Sequence, residues 1–195
     1  MKKIILATTS PYRQEAFRSI GIEFEAIGSD VDEKFEGRPN SPQELVQELA
    51  KQKAEAVAKK CKEGVIIGFD SVGWFNGEIL EKPKSRQEAF DRLKSLSGNK
   101  FSFHTGVCLI DKEKSIINKA VVTTEAFMRN YSDKEIEKYL NQTEKYKTHA
   151  HGFDPLENYS AVFINTISGS YNNILRGIPT EHIIEMLQEI GVEIE

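Results

Sequence analysis

Between residues 65 and 83 the chain reads Val-Ile-Ile-Gly-Phe-Asp-Ser-Val-Gly-Trp-Phe-Asn-Gly-Glu-Ile-Leu-Glu-Lys-Pro, and no other stretch limits the fold as sharply. Its centre, Asn76-Gly77, is the strongest short-range signal for a tight hairpin, because that turn needs two residues at positive φ. Ahead of it, Val65, Ile66 and Ile67 form an unbroken apolar run suited to a strand buried on both faces. Gly68 carries no Cβ and admits close approach of another piece of backbone. Asp70 and Ser71 arrive where the apolar run stops. Residues 72–75 form a second extended piece, and residues 78–80 return to Glu81 and Lys82 until Pro83 ends the pairing. A hairpin folds its ends together. Asp70 and Lys82 are therefore expected to face a common space, either as a polar reaction site or as an ordinary salt bridge at a sheet margin.

The rest of the chain supplies strands and helices from end to end. Ile4, Ile5, Leu6 and Ala7 read as a first buried strand. Ser10 is a good helix N-cap and Pro11 a good first helical residue, which predicts a helix to about Ile20 that stops at Gly21. A strand, a tight turn and a helix N-terminus in this order form an anion site, to which Ser10, the neighbouring threonines and Arg13 add donors. The plainer alternative is that Ser10 only caps and Arg13 is solvated. The glycines and Gly-Lys-Ser/Thr ending of a P-loop are absent. A weak alternation over 22–27 suggests a second strand. The acidic run at Asp30, Asp32 and Glu33 is either solvated or lends Glu33 to a divalent cation.

Capping boxes at Ser41, Ser85 and Ser132 open three more helices, ending near Lys60, Ser97-Gly98 and Leu140. Lys53 sits beside the apolar face of the first of these, so it either snorkels over the core or points its amine into a cleft. Residues 101–110 and 116–127 read as a long antiparallel pair. Residues 142–160 are polar and irregular, with His149 and His151 expected to be solvated rather than metal-bound. A strand over 161–167, a short helical turn after Asn173 and an amphipathic helix from Thr180 to about Ile190 complete the chain. Intermixed strands and helices predict an α/β fold with a mixed sheet in one domain spanning 1–195.

A chain of 195 residues can bury a real core. Its net charge of −4 argues against nonspecific nucleic-acid binding, which needs a basic face to displace counterions. Cys61 and Cys108 are far apart and match no metal-ligand spacing, as expected of reduced thiols. The basic start is followed by too few apolar residues for a signal peptide, and no long apolar run suits a membrane. These features predict a soluble cytoplasmic protein with no membrane partner.

Four separated segments thus each offer polar groups to one site: Ser10 with Arg13, Glu33, Lys53, and Asp70 with Lys82. Three cations and two carboxylates make chemical sense together around a polyphosphate with a divalent metal. The cations neutralise phosphate oxygens, the carboxylates hold Mg²⁺ or a metal-bound water, and Asp70 accepts a proton from attacking water.

Leu6-Ala7-Thr8-Thr9-Ser10-Pro11-Tyr12-Arg13 resembles the N-terminal signature of the Maf family of nucleoside triphosphate pyrophosphatases. Val31-Asp32-Glu33, Ala50-Lys51-Gln52-Lys53-Ala54, Gly68-Phe69-Asp70-Ser71-Val72 and Gly77-Glu78-Ile79-Leu80-Glu81-Lys82-Pro83 continue the likeness in family order. Leu96-Ser97-Gly98, Thr105-Gly106-Val107 and Gly169-Ser170-Tyr171 extend it over nearly the whole chain. The resemblance implies metal-dependent cleavage between the α and β phosphates, with Mg²⁺ or Mn²⁺, giving a monophosphate and pyrophosphate. It also implies an elongated, two-lobed, usually dimeric structure with a deep cleft, related to the inosine triphosphate pyrophosphatases. By the same resemblance Asp70 is the proton acceptor and a metal ligand with Glu33, while Ser10, Arg13, Lys53 and Lys82 line the phosphate site.

Base choice in that family follows from three positions, which fall here at Tyr12, Ser71 and, across a one-residue gap, Glu157. Tyr12 and Glu157 lean toward the subgroup for 7-methylguanosine triphosphate, since an aromatic ring stacks on a cationic base and a carboxylate accepts from guanine N–H groups. Ser71 lies closer to the subgroup for thymidine and uridine triphosphates. The segment His149-Ala150-His151-Gly152-Phe153-Asp154-Pro155 departs from the pattern of both. The expectation is a pyrophosphatase that removes modified or surplus nucleotides, with dTTP/UTP hydrolysis as the alternative. A rival of another class is a nucleotide-sensing regulator of cell division without turnover.

Overall fold

The computed structural model describes residues 2–193. Met1, Ile194 and Glu195, included in the single-domain expectation, lie outside them. In chain order the first elements are β1 (Ile4–Ala7), α1 (Pro11–Ser19), β2 (Glu25–Ala26) and α2 (Pro42–Ala58). Then come β3 (Val65–Phe75), β4 (Glu78–Leu80), α3 (Arg86–Leu96), β5 (Lys100–Asp111) and β6 (Ile116–Met128). The chain continues with α4 (Asp133–Gln142), β7 (Ile164–Ser168), α5 (Tyr171–Arg176) and α6 (Thr180–Glu189). The strands form a seven-stranded sheet in the order β2-β1-β3-β5-β6-β7, with β4 paired to β3. β1 runs parallel to β2 and β3, whereas β4 on β3 and β7 on β6 are antiparallel, so the sheet is mixed and the fold is α/β.

Two compact units are distinguished along the chain. The first comprises residues 2–71, 104–122 and 176–193, the second residues 72–103 and 123–175. In the first unit β1, β3 and β5 are apolar on both faces, and the alternation of strand side chains divides them cleanly. Ile4, Leu6, Val65, Ile67, Phe69, Val107 and Leu109 pack with Phe17 of α1 and Ile183, Met186 and Leu187 of α6. Ile5, Ala7, Ile66, Cys108 and Ile110 pack on the other side with Ala50, Ala54 and Val57 of α2. The unbroken apolar run at Val65 is thus a strand covered on both faces, as expected.

In the second unit the β3–β4 hairpin turns at Asn76 and Gly77 with φ of 49° and 82°, the two positive values that the Asn-Gly signal predicts. Its core brings α3 and α4 together through Leu93, Leu96, Ile136 and Tyr139, with Phe101, Phe103, Phe153 and Phe163. Ser41 and Ser85 accept from the backbone N–H of Glu44 and Glu88, and Ser132 forms the full capping box with Glu135.

Three expectations are corrected. The strand over 22–27 shrinks to Glu25–Ala26, the two residues that pair with Ile5 and Leu6 of β1; Ile22 and Phe24 pack into the core around Phe17 outside that pairing. The strand expected from Ala161 begins at Ile164, since residues 159–162 wind into a 3-10 turn. His151 is buried and not solvated: its ring lies among Phe101, Phe103 and Phe153 and stacks on His149 at 5.4 Å.

Candidate active site

The site in the first unit is built on two missing side chains. A Cβ at Gly68 would lie 2.2 Å from the Ala50 carbonyl oxygen, and one at Gly106 would lie 2.1 Å from that of Val46. The backbone of α2 therefore rests directly on β3 and β5, the close approach for which Gly68 is suited. Lys53 lies one helical turn beyond Ala50, while Asp70 follows Gly68 on the same face of the strand. Lys53 Nζ donates to Asp70 Oδ1 and to Glu33 Oε1, each at 2.7 Å. Its side chain is 12% exposed, and its ammonium joins two carboxylates from separate segments. The other acids of the Glu33 loop have different partners: Asp30 pairs with Lys60, and Asp32 accepts from the Lys34 N–H.

On the opposite face of β3, α1 contributes Arg13. Its Nε donates to the Gly177 carbonyl at 3.1 Å, Nη1 to that of Phe69 at 3.3 Å, and Nη2 to Ser71 Oγ at 2.8 Å. The guanidinium lies over the Phe69 ring, 5.7 Å from its centre. Arg13 is thus engaged by the protein through three of its nitrogens and is not simply solvated. Ser71 Oγ also meets Thr105 Oγ1 at 2.8 Å and donates to the Gly177 carbonyl at 3.3 Å. Thr105 was quoted in the sequence only as part of a motif. Its signal is chemical: a hydroxyl in an otherwise buried apolar strand needs a partner. Ser10 stands at the N-cap of α1, but its side chain makes no capping bond; its backbone N–H instead donates to Thr8 Oγ1 at 3.1 Å. Tyr12 is half-buried in the first turn of the same helix.

Burial pushes the Asp70 carboxyl above the ordinary range, Lys53 and Arg13 pull it back, and Glu33 adds to the rise. Burial likewise disfavours charge on Arg13, against the pull of Asp70 and Glu33, though a guanidinium stays protonated in a protein.

Lys82 and Glu157 belong to the second unit. Lys82 is exposed, directly before the buried Pro83. Glu157 is paired with Lys145, which also reaches Asp154 at 3.3 Å. Glu157 is the carboxylate expected to read guanine N–H groups, and its side chain remains 60% exposed. His149 is held below its ordinary imidazole value chiefly by burial, with the charges of Lys145 and Lys82 adding to the effect.

A family model described as Maf-like protein matches residues 3–190. The chain belongs to the Maf family. A dTTP/UTP pyrophosphatase of Clostridium novyi (strain NT) is 38% identical to it over 197 aligned positions, covering 98% of this chain and 100% of the relative. One of the same name from Carboxydothermus hydrogenoformans is 37% identical, over 97% of this Maf chain and 99% of its own length. Among solved structures, the Ham1 protein of Staphylococcus aureus aligns with a TM-score of 0.46 at 20% identity, over 66% of this chain and 73% of that one. The α/β assignment rests on the sheet itself.

The donor set of this Maf chain suits a divalent cation in one respect. Glu33 and Asp70 bring two hard carboxylate oxygens to a single cationic point, now held by the Lys53 ammonium. Among the described residues no group of three or more His, Cys, Asp or Glu is arranged to hold a metal alone. Mg²⁺ commonly takes one or two carboxylates and completes its shell with water and substrate phosphate. Among the described residues no helix is long and apolar enough to cross a membrane.

Proposed function

We propose that this Maf-family chain is a nucleoside triphosphate pyrophosphatase acting on pyrimidine triphosphates of the dTTP/UTP kind. The observation that carries the reading is the buried Asp70, midway along β3, held by Lys53 beside Glu33. A phosphate-binding module needs cations alone, whereas a carboxylate kept nearly dry and ion-paired is material for proton transfer. In this reading Asp70 takes the proton of a water whose oxygen bonds to phosphorus. The α–β anhydride bond breaks, and nucleoside monophosphate and pyrophosphate leave. Lys53 keeps Asp70 ionised and aimed. The N-terminus of α1 with Ser10 neutralises phosphate oxygens, and the family resemblance assigns Lys82 to phosphate as well. Arg13 fixes Ser71, and its remaining N–H groups are donors for the same anion. Glu33 and Asp70 would hold Mg²⁺ or Mn²⁺, which supplies charge neutralisation on the phosphates when bound.

The lean toward 7-methylguanosine triphosphate has no support among the relatives. The curated relatives quoted above carry the dTTP/UTP name. Ser71 resembles the threonine of the pyrimidine subgroup. Pyrophosphate release from dTTP, UTP, ATP and 7-methylguanosine triphosphate, with Mg²⁺, Mn²⁺ or chelator, tests the proposal. dTTP and UTP should rank first and chelator should stop turnover. Release from none of the nucleotides overturns the enzymatic reading and favours a non-catalytic nucleotide sensor.

A further inference from the structure

Lys82 lies on a short segment gripped on both sides by one helical pair. Pro83 is buried, whereas Glu81, Lys82 and Lys84 are exposed, so the segment is anchored at its proline and presents the lysine outward. Arg92 Nη1 donates to the Glu81 carbonyl. Glu88, one turn earlier on α3, accepts from the Lys84 N–H at 2.9 Å through Oε2. Arg92 Nη2 donates to the other Glu88 oxygen at 3.1 Å, which ties the two grips together. The same Arg92 Nη1 also donates to the Ala150 carbonyl, in the segment that departs from the family pattern. Gly152 completes the contact: a Cβ there would sit 3.4 Å from Pro83 Cγ and 3.5 Å from Arg92 Cδ.

Only an arginine suits this place. Its planar fork serves two carbonyls and a carboxylate at once, while a lysine is a single point charge without that geometry. Its side chain is 13% exposed, so it is not a solvated surface charge.

We infer that Arg92, supported by Glu88, is a positioning residue for the triphosphate: it fastens the Lys82 segment to the 149–152 turn so that both are presented as one rigid piece. This rests on the assignment of Lys82 to phosphate. The experiment compares R92M, R92K, K82M and the R92M/K82M double variant in the full chain, with thermal melting as a folding check. Amide hydrogen exchange in R92M should quicken at residues 81–84 and 149–152 and stay unchanged in the first unit. Its kcat/KM for dTTP should fall about tenfold to a hundredfold, mainly through KM, as expected when a phosphate ligand is misplaced. R92K should recover only part of that loss, and in the K82M background the R92M penalty should largely vanish.

An equal R92M penalty with and without Lys82 makes Arg92 merely structural and overturns the inference. Unchanged exchange at 81–84 in an active enzyme overturns the clamp alone. A wild type that releases no pyrophosphate overturns the functional reading, and with it the phosphate role of Arg92. Should R92M fail to fold, E88Q weakens the same grips without removing the arginine stem. It should show the same exchange pattern, and no change at either segment refutes the clamp.

Discussion

Lys53 Nζ lies 2.7 Å from Asp70 Oδ1, and both side chains are largely withdrawn from water. A buried ion pair of this kind is a weak device for stability, because desolvation offsets most of the attraction. It is a good device for holding one carboxylate in one place. Asp70→Asn keeps the shape and removes the proton acceptor, so kcat should fall about 10²–10⁴-fold. The melting temperature should stay close to that of the wild type. A well-folded D70N protein with full turnover would falsify the role of Asp70.

Burial raises the Asp70 pKa, so the folded chain holds this proton more tightly than the unfolded one. The group therefore favours the fold at low pH and costs stability as pH rises from the unfolded to the folded pKa. Activity runs the other way, since the base must be ionised. The acid limb of kcat/KM, which reports the free enzyme, should lie above the ordinary carboxylate value of about 4. Lys53→Met removes the chief group pulling that value down and should move the limb higher, as a pH series would show.

Gly68 and Gly106 leave no room for even a methyl group under α2. Gly68→Ala should destabilise the chain by about 1–3 kcal/mol, the usual cost of overpacking. It should also lower kcat by lifting Lys53 off Asp70. Chemical denaturation and steady-state rates on the same sample check both. A stability loss with unaltered kcat would separate the helix seat from the catalytic pair.

Glu33 is the exposed member of the cluster, and its carboxylate is half of the proposed metal donor set. Glu33→Gln should raise the Mg²⁺ concentration for half-maximal rate by at least about tenfold. Saturating Mg²⁺ should restore much of the rate, and a titration with unchanged midpoint would remove Glu33 from the metal.

His151, packed among aromatic rings, is held well below the usual imidazole pKa by burial, with His149 and Arg92 acting in the same direction. The unfolded chain therefore binds the extra proton first, and stability should decline as pH falls below about 6.5. His151→Phe keeps a ring in the cluster and should flatten that decline, measured as the denaturant midpoint at pH 7 and pH 5. His104 and His149, also lowered by burial, act in the same direction.

Local chemistry made much of this molecule readable. Capping serines fixed the starts of α2, α3 and α4, and Asn76-Gly77 fixed the hairpin, because each acts within a few residues of itself. The Asp70 position was readable because a carboxylate directly after an apolar run cannot be ordinary core. The segment around His151 was not readable, since its polar composition conceals the pull of Phe101 and Phe103, some fifty residues away. The engagement of Arg13 was equally hidden: two of its three acceptors are main-chain carbonyls, which every residue has. Lys145 facing Glu157 is a pairing of two common surface charges, which sequence spacing cannot select.

The bond from Arg13 to the Gly177 carbonyl joins α1 to a segment 164 residues further along, and Phe17 shares one core with Ile183 and Leu187 of α6. A chain cut before Arg176 keeps β1 and α1 but loses the acceptor of Arg13 Nε and the α6 side of their shared core. Such a truncated chain should expose Phe17 to protease more readily than the full one, as limited proteolysis of the two would show.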